Sequence, residues 1–524
     1  MRRILTMSIL FSVALMSAGQ SLAADPAVGD LKLYATDRVE TPEGSGQFEC
    51  AYKTLNWDPK KTAIIVCDMW DQHWCKSASA RVAEMAPRMN EFVTAARKQG
   101  VLIVHAPSDC MKAYANHPAR LRAKNTPRVD LPDFMRQQCS GLDNEKQVKW
   151  PIDQSDGGCD CATPCPKTPR PWTKQIETIK ITDDDAISES GVEIASLFAE
   201  RGIENVMLVG VHENMCVIGR SFGLRNMVHL GKNVVLVRDM TDAMYNPQKP
   251  PHVSHVRGTE LVCEHIEKYV CPTVTSSDLL GGPAFRFKID TRPHVTLIAS
   301  DDEYFSERTL PAFADLLREQ YGCYCTPLVS DRGKADLPGL DELKTTDVLM
   351  LFVRRRALPK EQLDKIRAYL DAGKPLVALR TCSHAFVVEA GKQAPPGTDQ
   401  WPEFDHDVLG GNYHSYVKSQ RESEMHLAPD AVGHPILAGV APPEWKSIFP
   451  LYFVSPLAAD AKVLVIGEAA GKTEPVAWVR SYKGARVFYA SLGSDEDFAS
   501  IPQFRTMMVN TIFWAMDRPV PTAR

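Results

Sequence analysis

Two residues sit where an α/β protein would be expected to do chemistry. Asp68 follows the short apolar run Thr62–Cys67 (TAIIVC), and Cys216 follows the apolar run Asn205–Val211 in Gly210-Val-His-Glu-Asn-Met-Cys216-Val217. Each run is rich in β-branched residues and reads as a buried strand. Ligands of open α/β sheets gather outside the carboxyl ends of the strands, which is where both side chains are placed. A carboxylate there suits general acid/base work, although many such aspartates only cap a helix. A thiol before a helical segment gains from the helix dipole and from backbone N–H groups able to hold an oxyanion; the alternative is a buried structural cysteine.

The elements around them alternate. Helical periodicity over Ser79–Gln99 puts Val82, Met85, Met89, Phe92 and Ala95 on one face and ends at Gly100; a strand follows at Val101–His105. Glu193–Arg201 reads as a helix and Asn233–Arg238 as a further strand. Strands alternating with helices argue for a mostly parallel, doubly wound sheet covered by helices. The same alternation restarts after residue 290: strands at Val295–Ser300, Asp347–Val353 and Pro375–Leu379, helices at Leu310–Gln320 and Lys360–Ala372, later strands at Lys462–Ile466, Val476–Arg480 and Arg486–Ala490, and a closing helix over Pro502–Met516. A chain of 524 residues exceeds one ordinary core. The expected division is a signal segment (1–23), an irregular lead-in (24–59), a first domain (60–272), a linker (273–290) and a second domain (291–524). Lys149–Lys174, rich in Pro, Gly, Asp and Cys, reads as a long loop, and such loops are functional or cross-linked.

With Asp68 after its strand and Gly-Val-x-x-x-x-Cys-Val at 210–217, residues 55–270 resemble the isochorismatase-like cysteine hydrolases, which include nicotinamidases and other small-amide hydrolases. The resemblance implies a catalytic set of Asp68, Lys180 and Cys216, with Lys180 taken from Ile179-Lys-Ile-Thr-Asp-Asp-Asp. It implies hydrolysis of a carbon–nitrogen bond other than a peptide bond through a Cys thioester, and a cis peptide at His212–Glu213, with His212, Glu213 and Cys216 forming the oxyanion region. Trp70, His73, Trp74, Glu213 and Arg220 are candidate substrate contacts; His73 could also be a ligand or proton shuttle, or belong to ordinary helix-start packing. Arg220 and Arg225 suit an anionic group or structural ion pairs. The Asp-x-His metal motif of nicotinamidases is replaced by Ala106-Pro-Ser-Asp-Cys-Met. No catalytic metal or cofactor is therefore expected; a divalent metal is possible but no motif supports it.

Residues from about 290 to 520 resemble ThuA-like (trehalose-utilisation) domains, relatives of class I glutamine amidotransferases, through Arg380-Thr-Cys-Ser-His-Ala-Phe386, His406-Asp-Val-Leu-Gly-Gly411, His434-Pro-Ile436 and Tyr489-Ala-Ser-Leu-Gly493. Cys382 lies where an amidotransferase nucleophile would sit, but Thr381 and Ser383 replace the small neighbours that such an elbow needs. A ligand-binding role is the expectation, with His384 and His414 as possible contacts.

The chain as a whole narrows the partners. A net charge of −5 over this length gives no strong field, which disfavours nucleic acid and anionic membranes. Arg2-Arg3, the apolar run Ile4–Ala18 and Ser21-Leu-Ala23 read as an export signal, implying a periplasmic or secreted protein that is free of the membrane after cleavage. Fourteen cysteines fit an oxidising compartment, and the C-x-C pairs Cys159/Cys161 and Cys323/Cys325 are expected in disulfides rather than at metal. A small-molecule substrate completes the expectation, with a homo-oligomer as one option for assembly. The competing reading is an extracytoplasmic ligand- or carbohydrate-binding protein whose first domain is catalytically silent.

Overall fold

A computed structural model describes residues 29–523, so the expected signal segment lies outside the described residues. Eight strands form the first sheet: β1 (Leu31–Glu40), β2 (Phe48–Trp57), β3 (Thr62–Cys67), β4 (Leu102–Ala106), β5 (Ala186–Ile187), β6 (Asn205–Val211), β7 (Asn233–Asp242) and β8 (Thr273–Val274). Their order is β2-β1-β8-β7-β6-β3-β4-β5, parallel from β8 to β5 with the antiparallel β1–β2 hairpin at one edge.

All six residues of β3 are buried because both faces are covered. Ile64 and Val66 pack toward helix α1 (Lys76–Lys98) with Val82, Met85, Met89 and Phe92. Ala63, Ile65 and Cys67 pack on the other side with Ile194, Phe198 and Phe222. Each such large side chain contributes about 1.5–3 kcal/mol on leaving water. The helix Gly191–Arg201 starts on Ser190, whose hydroxyl accepts from the Glu193 N–H, and stops at Gly202 in the left-handed conformation.

Two segments differ from expectation. Residues 31–57 of the lead-in are a regular hairpin rather than irregular chain: Leu31, Leu33 and Ala35 alternate inward, too few apolar residues to announce a strand. The expected linker begins with β8, in which Thr273 pairs with Thr36, and continues into the short helix Ser277–Leu280.

A nine-stranded sheet builds the second half. Tyr324–Val329, His294–Ser300, Val348–Val353, Leu376–Leu379 and Ala485–Ala490 run parallel in that order. Lys472–Tyr482, Lys462–Ala469, Ser423–Leu427 and Glu444–Ser447 extend the sheet antiparallel. Both halves are thus α/β with helix-flanked sheets. No helix among the described residues is long and apolar enough to cross a membrane.

Candidate active site

The ends of β3 and β6 set the site. Cys67 and Gly210 are register partners, and Gly210, at φ +110°, lies so close that a Cβ there would sit 2.0 Å from the Cys67 carbonyl oxygen. This approach brings together the two chain turns that follow. On one side Asp68 takes a positive φ of 47°, with its N–H donating to the Ala106 carbonyl. On the other, the Val211–His212 peptide is cis and leads into a π-helical turn, Glu213–Val217, which carries Cys216. The cis bond lies one residue before the expected His212–Glu213 position. Cys216 lies within this π turn rather than at the start of a helix, and the short helix Leu224–His229 follows a few residues later.

Asp68 is fully buried. One carboxylate oxygen accepts the Ser108 N–H at 2.8 Å, and the other accepts two Arg220 guanidinium N–H groups at 3.1 and 3.3 Å. The Cys216 thiol lies against the same carboxyl group. Burial raises the Asp68 pKa, and Arg220, Cys216 and Ser108 offset that only in part. Burial, followed by the Asp68 charge, holds the Cys216 thiol well above its ordinary value, with Arg220 opposing. The expected depression of this thiol by a helix dipole is therefore absent. The thiol therefore keeps its proton at neutral pH, with the Asp68 carboxyl as its neighbouring acceptor group.

Lys180 is not part of this arrangement. It is solvent-exposed, its ammonium donating to the Glu177 carbonyl and its backbone N–H bonding Asn90. The cation facing Asp68 is Arg220, which the sequence placed on the substrate. Glu213 also departs from expectation. It is fully buried, its oxygens lack well-formed hydrogen bonds, and it lies against Cys263. Burial keeps it protonated well above the usual carboxylate range, so it is core rather than a substrate contact. Arg225 pairs with Glu145 at 2.6 Å, and His265 bonds the same carboxylate at 2.9 Å, which makes that arginine structural.

The aromatic candidates do converge. Trp70 and Trp172 stack at 4.2 Å, His73 stacks on Trp172 at 5.7 Å, and His73 meets Trp74 at 5.2 Å and His212 at 4.9 Å. Burial lowers His73 to about 4 and His212 to about 3, so both rings are neutral at ordinary pH. The His212 Nε2 and the Trp172 indole N–H are buried without a partner. Trp172 went unrecognised in the sequence because its loop has no periodicity; the one available signal was an aromatic residue in an otherwise Pro/Gly/Cys-rich stretch. The Trp70 indole N–H is spent on the Ser108 carbonyl, which locks its ring. These groups make a flat, largely apolar wall beside a thiol, a carboxyl and a guanidinium. That combination suits nucleophilic attack on a small, planar acyl compound.

Among the described residues the second half offers no comparable nucleophile. Cys382 is fully buried, its thiol donating to the Leu351 carbonyl at 3.2 Å and accepting the Val353 N–H at 3.4 Å, while burial pushes it up to about 12. The left-handed elbow residue is Arg380, at φ 40°. Its guanidinium is enclosed by Tyr304, Phe449 and Tyr452 at 4.2–4.9 Å, and two of its nitrogens lack a partner. His384 packs on Tyr413, and His414 is exposed and bonds the Ser455 carbonyl.

Two helix-flanked sheets define the class: a two-part α/β protein. Residues 295–515 match the family model described as "ThuA: Trehalose utilisation", so the second half is a ThuA-like domain. Solved structures similar to this chain include a ThuA-like protein from Bacteroides uniformis (17% identity, 45% of this chain and 95% of that one, TM-score 0.33). Others, matching the N-terminal part, are a cysteine hydrolase from Pseudomonas syringae pv. phaseolicola (18%, 43% and 93%, TM-score 0.27) and an isochorismatase family protein from Desulfovibrio vulgaris (14%, 42% and 96%, TM-score 0.25). No curated protein matches the sequence.

Proposed function

We propose that the first half is a cysteine hydrolase that cleaves an amide-like carbon–nitrogen bond of a small substrate. One observation carries this reading: the Cys216 thiol abuts a fully buried Asp68 whose second oxygen is held by Arg220. Asp68 takes the thiol proton as sulfur attacks the carbonyl carbon. The same proton passes from Asp68 to the departing nitrogen as the C–N bond breaks, leaving a thioester and free ammonia or amine. A water then attacks the thioester, giving its proton to Asp68, and the carboxylic acid leaves as the thiol re-forms. Arg220 stays charged throughout and keeps Asp68 oriented. The Trp70–Trp172–His73 wall favours a flat or apolar acyl group.

The test is a panel of small aliphatic and aromatic amides assayed with wild type, Cys216→Ala and Asp68→Asn. Both variants are expected to lose about 10^4-fold or more in turnover, and mass spectrometry of the wild type during turnover should reveal an acyl adduct on Cys216. Full hydrolysis by Cys216→Ala would sink the proposal in favour of a binding protein with a silent first half. Export, read from residues 1–23, belongs to the same proposal and is checked by cell fractionation.

For the ThuA-like half, the buried Cys382 thiol favours binding over catalysis. Alkylation of the native protein is expected to leave Cys382 unmodified.

A further inference from the structure

Four thiols converge at a place the hydrolase chemistry does not use. Cys75 is the residue immediately before α1, and Cys159, Cys161 and Cys165 belong to the long loop between Lys149 and Lys174. The Cys161 sulfur lies 3.8 Å from that of Cys75 and 3.5 Å from that of Cys165. The sulfurs of Cys75, Cys159 and Cys161 all fall within 4.8 Å of one another, and Cys159 also lies against Cys165. None of the four is in a disulfide, contrary to the expectation for this loop. A sulfur–sulfur bond is ~2.05 Å long. A tetrahedron of thiolates around zinc, with ~2.3 Å metal–sulfur bonds, has sulfur–sulfur edges of about 3.8 Å. The Cys161 separations from Cys75 and Cys165, at 3.8 and 3.5 Å, match such edges, and a small movement of the Cys165 side chain toward the other three sulfurs would complete the tetrahedron.

The surroundings suit thiolates. The Ser77 N–H points at the Cys161 sulfur at 3.4 Å and its hydroxyl sits at 3.0 Å, while the Lys76 N–H serves Cys165. Both backbone donors come from the first turn of the 23-residue helix α1, whose positive end faces the cluster. Between two of the cysteines, Asp160 is tied down by Arg81 at 2.7 Å, and Arg81 also holds Asp242 at 2.8 Å. Ala78, Met244 and Trp74 pack around the cluster, burying Cys75 and Cys159 and leaving Cys161 and Cys165 half-buried at its outer side. Gly158, with φ +73°, lets the loop approach the Met244 backbone closely enough that a Cβ would lie 2.3 Å from it.

We propose that Cys75, Cys159, Cys161 and Cys165 form a structural zinc site. Four thiols bind one Zn²⁺ and release four protons, giving a tetrathiolate centre of charge 2−, with no oxidant or reductant involved. All four positions are filled by protein, so the metal has no open site for catalysis. Its effect is to clamp the loop onto the start of α1. His73 and Trp74 directly precede Cys75, and Trp172 follows Cys165 by a few residues, so the clamp fixes both sides of the aromatic wall beside Cys216. The inference rests on the cysteine geometry and stands whether or not the first half is a hydrolase.

The experiment uses the full chain purified without chelator, with metals measured by plasma mass spectrometry and thiols counted by alkylation and intact mass. The expected result is about one zinc per chain, with these four cysteines alkylated only after chelation. Replacing zinc with cobalt should produce the ligand-field and sulfur-to-metal bands of tetrahedral thiolate. Cys161→Ser and Cys165→Ser should each lose most of the zinc, whereas Cys139→Ser, outside the cluster, should retain it. If the serine variants fail to fold, the wild type alone decides: the chelated, reduced chain is titrated with zinc against a colorimetric chelator. Failure to compete overturns the proposal. So does a zinc-free chain in which peptide mapping pairs these cysteines as two disulfides, or one carrying iron with a visible chromophore.

Discussion

Arg220 shows how a single side chain divides a site's work. It donates two hydrogen bonds to Asp68, and its charge is the strongest influence opposing the rise that burial imposes on that carboxyl's pKa. It touches neither thiol proton nor acyl group in the proposed mechanism, so it is a positioning residue. In the proposed mechanism the active form needs Asp68 ionised, so activity is expected above the Asp68 pKa and is lost as pH falls through it. Removing the cation in Arg220→Met removes a lowering influence, so that pKa rises further and the acid limb of kcat/KM moves to higher pH. At neutral pH the rate is expected to fall about 10²-fold, with Arg220→Lys restoring part of both rate and limb position. A rate loss with an unmoved acid limb would show that Arg220 acts only by packing. His73 and His212, already neutral from about pH 4 upward, add no limb near neutrality.

At the scale of elements, the close contact of β3 with β6 is what brings carboxyl and thiol together. Gly210→Ala puts a Cβ 2.0 Å from the Cys67 carbonyl at a φ that side chains rarely adopt. The strands must part just before Asp68 and the cis peptide. The expected cost is about 2–3 kcal/mol in urea unfolding, with activity falling further than stability accounts for; wild-type stability in that variant would refute the account. The sequence announces these strands because β3 and β6 are continuous apolar runs, covered on both faces, and α1 because its inward face repeats with helical period. It does not announce the β1–β2 hairpin, whose inward face holds only small or scattered apolar residues. Nor does it announce the pairing of Asp68 with Arg220, which spans 152 residues with no local signature. Family resemblance pointed to Lys180 for that charge, and only the chain's path shows that Lys180 faces solvent. The cysteine cluster was obscured for the same reason. Its C-x-C spacing departs from common zinc frameworks, and the fourth ligand, Cys75, comes from the start of a helix 84 residues before Cys159.

Across the whole molecule, the two halves meet through buried charge. Arg38, on β1, bonds Glu267 of the first half at 3.1 Å and Asp315 of the second at 2.9 Å, with only 8% of its side chain exposed. Arg292 reaches back to Glu260 at 2.6 Å. A guanidinium shared between two carboxylates in a low-dielectric setting is strongly destabilising to remove, because it leaves buried charge without a partner, typically at about 3–5 kcal/mol. Arg38→Ala is therefore expected to weaken the contact between halves more than either core. The readouts are a lower unfolding midpoint and faster proteolytic cutting in the 275–292 segment that joins them. The pH dependence supplies an independent check. Burial raises the Asp315 pKa, but Arg318 and Arg38 outweigh it and hold the carboxyl below its ordinary value. A depressed folded pKa gives stability that is present above the unfolded value of ~3.9 and is lost as pH falls through the folded one. The part of the difference between wild type and Arg38→Ala that comes from Asp315 should therefore be full at neutral pH and shrink below about pH 4, while the part from Glu267, whose buried carboxyl is raised, fades at higher pH. A difference that stayed constant down to pH 2 would mean that Arg38 holds the halves together by packing its aliphatic stem, and not by its charge.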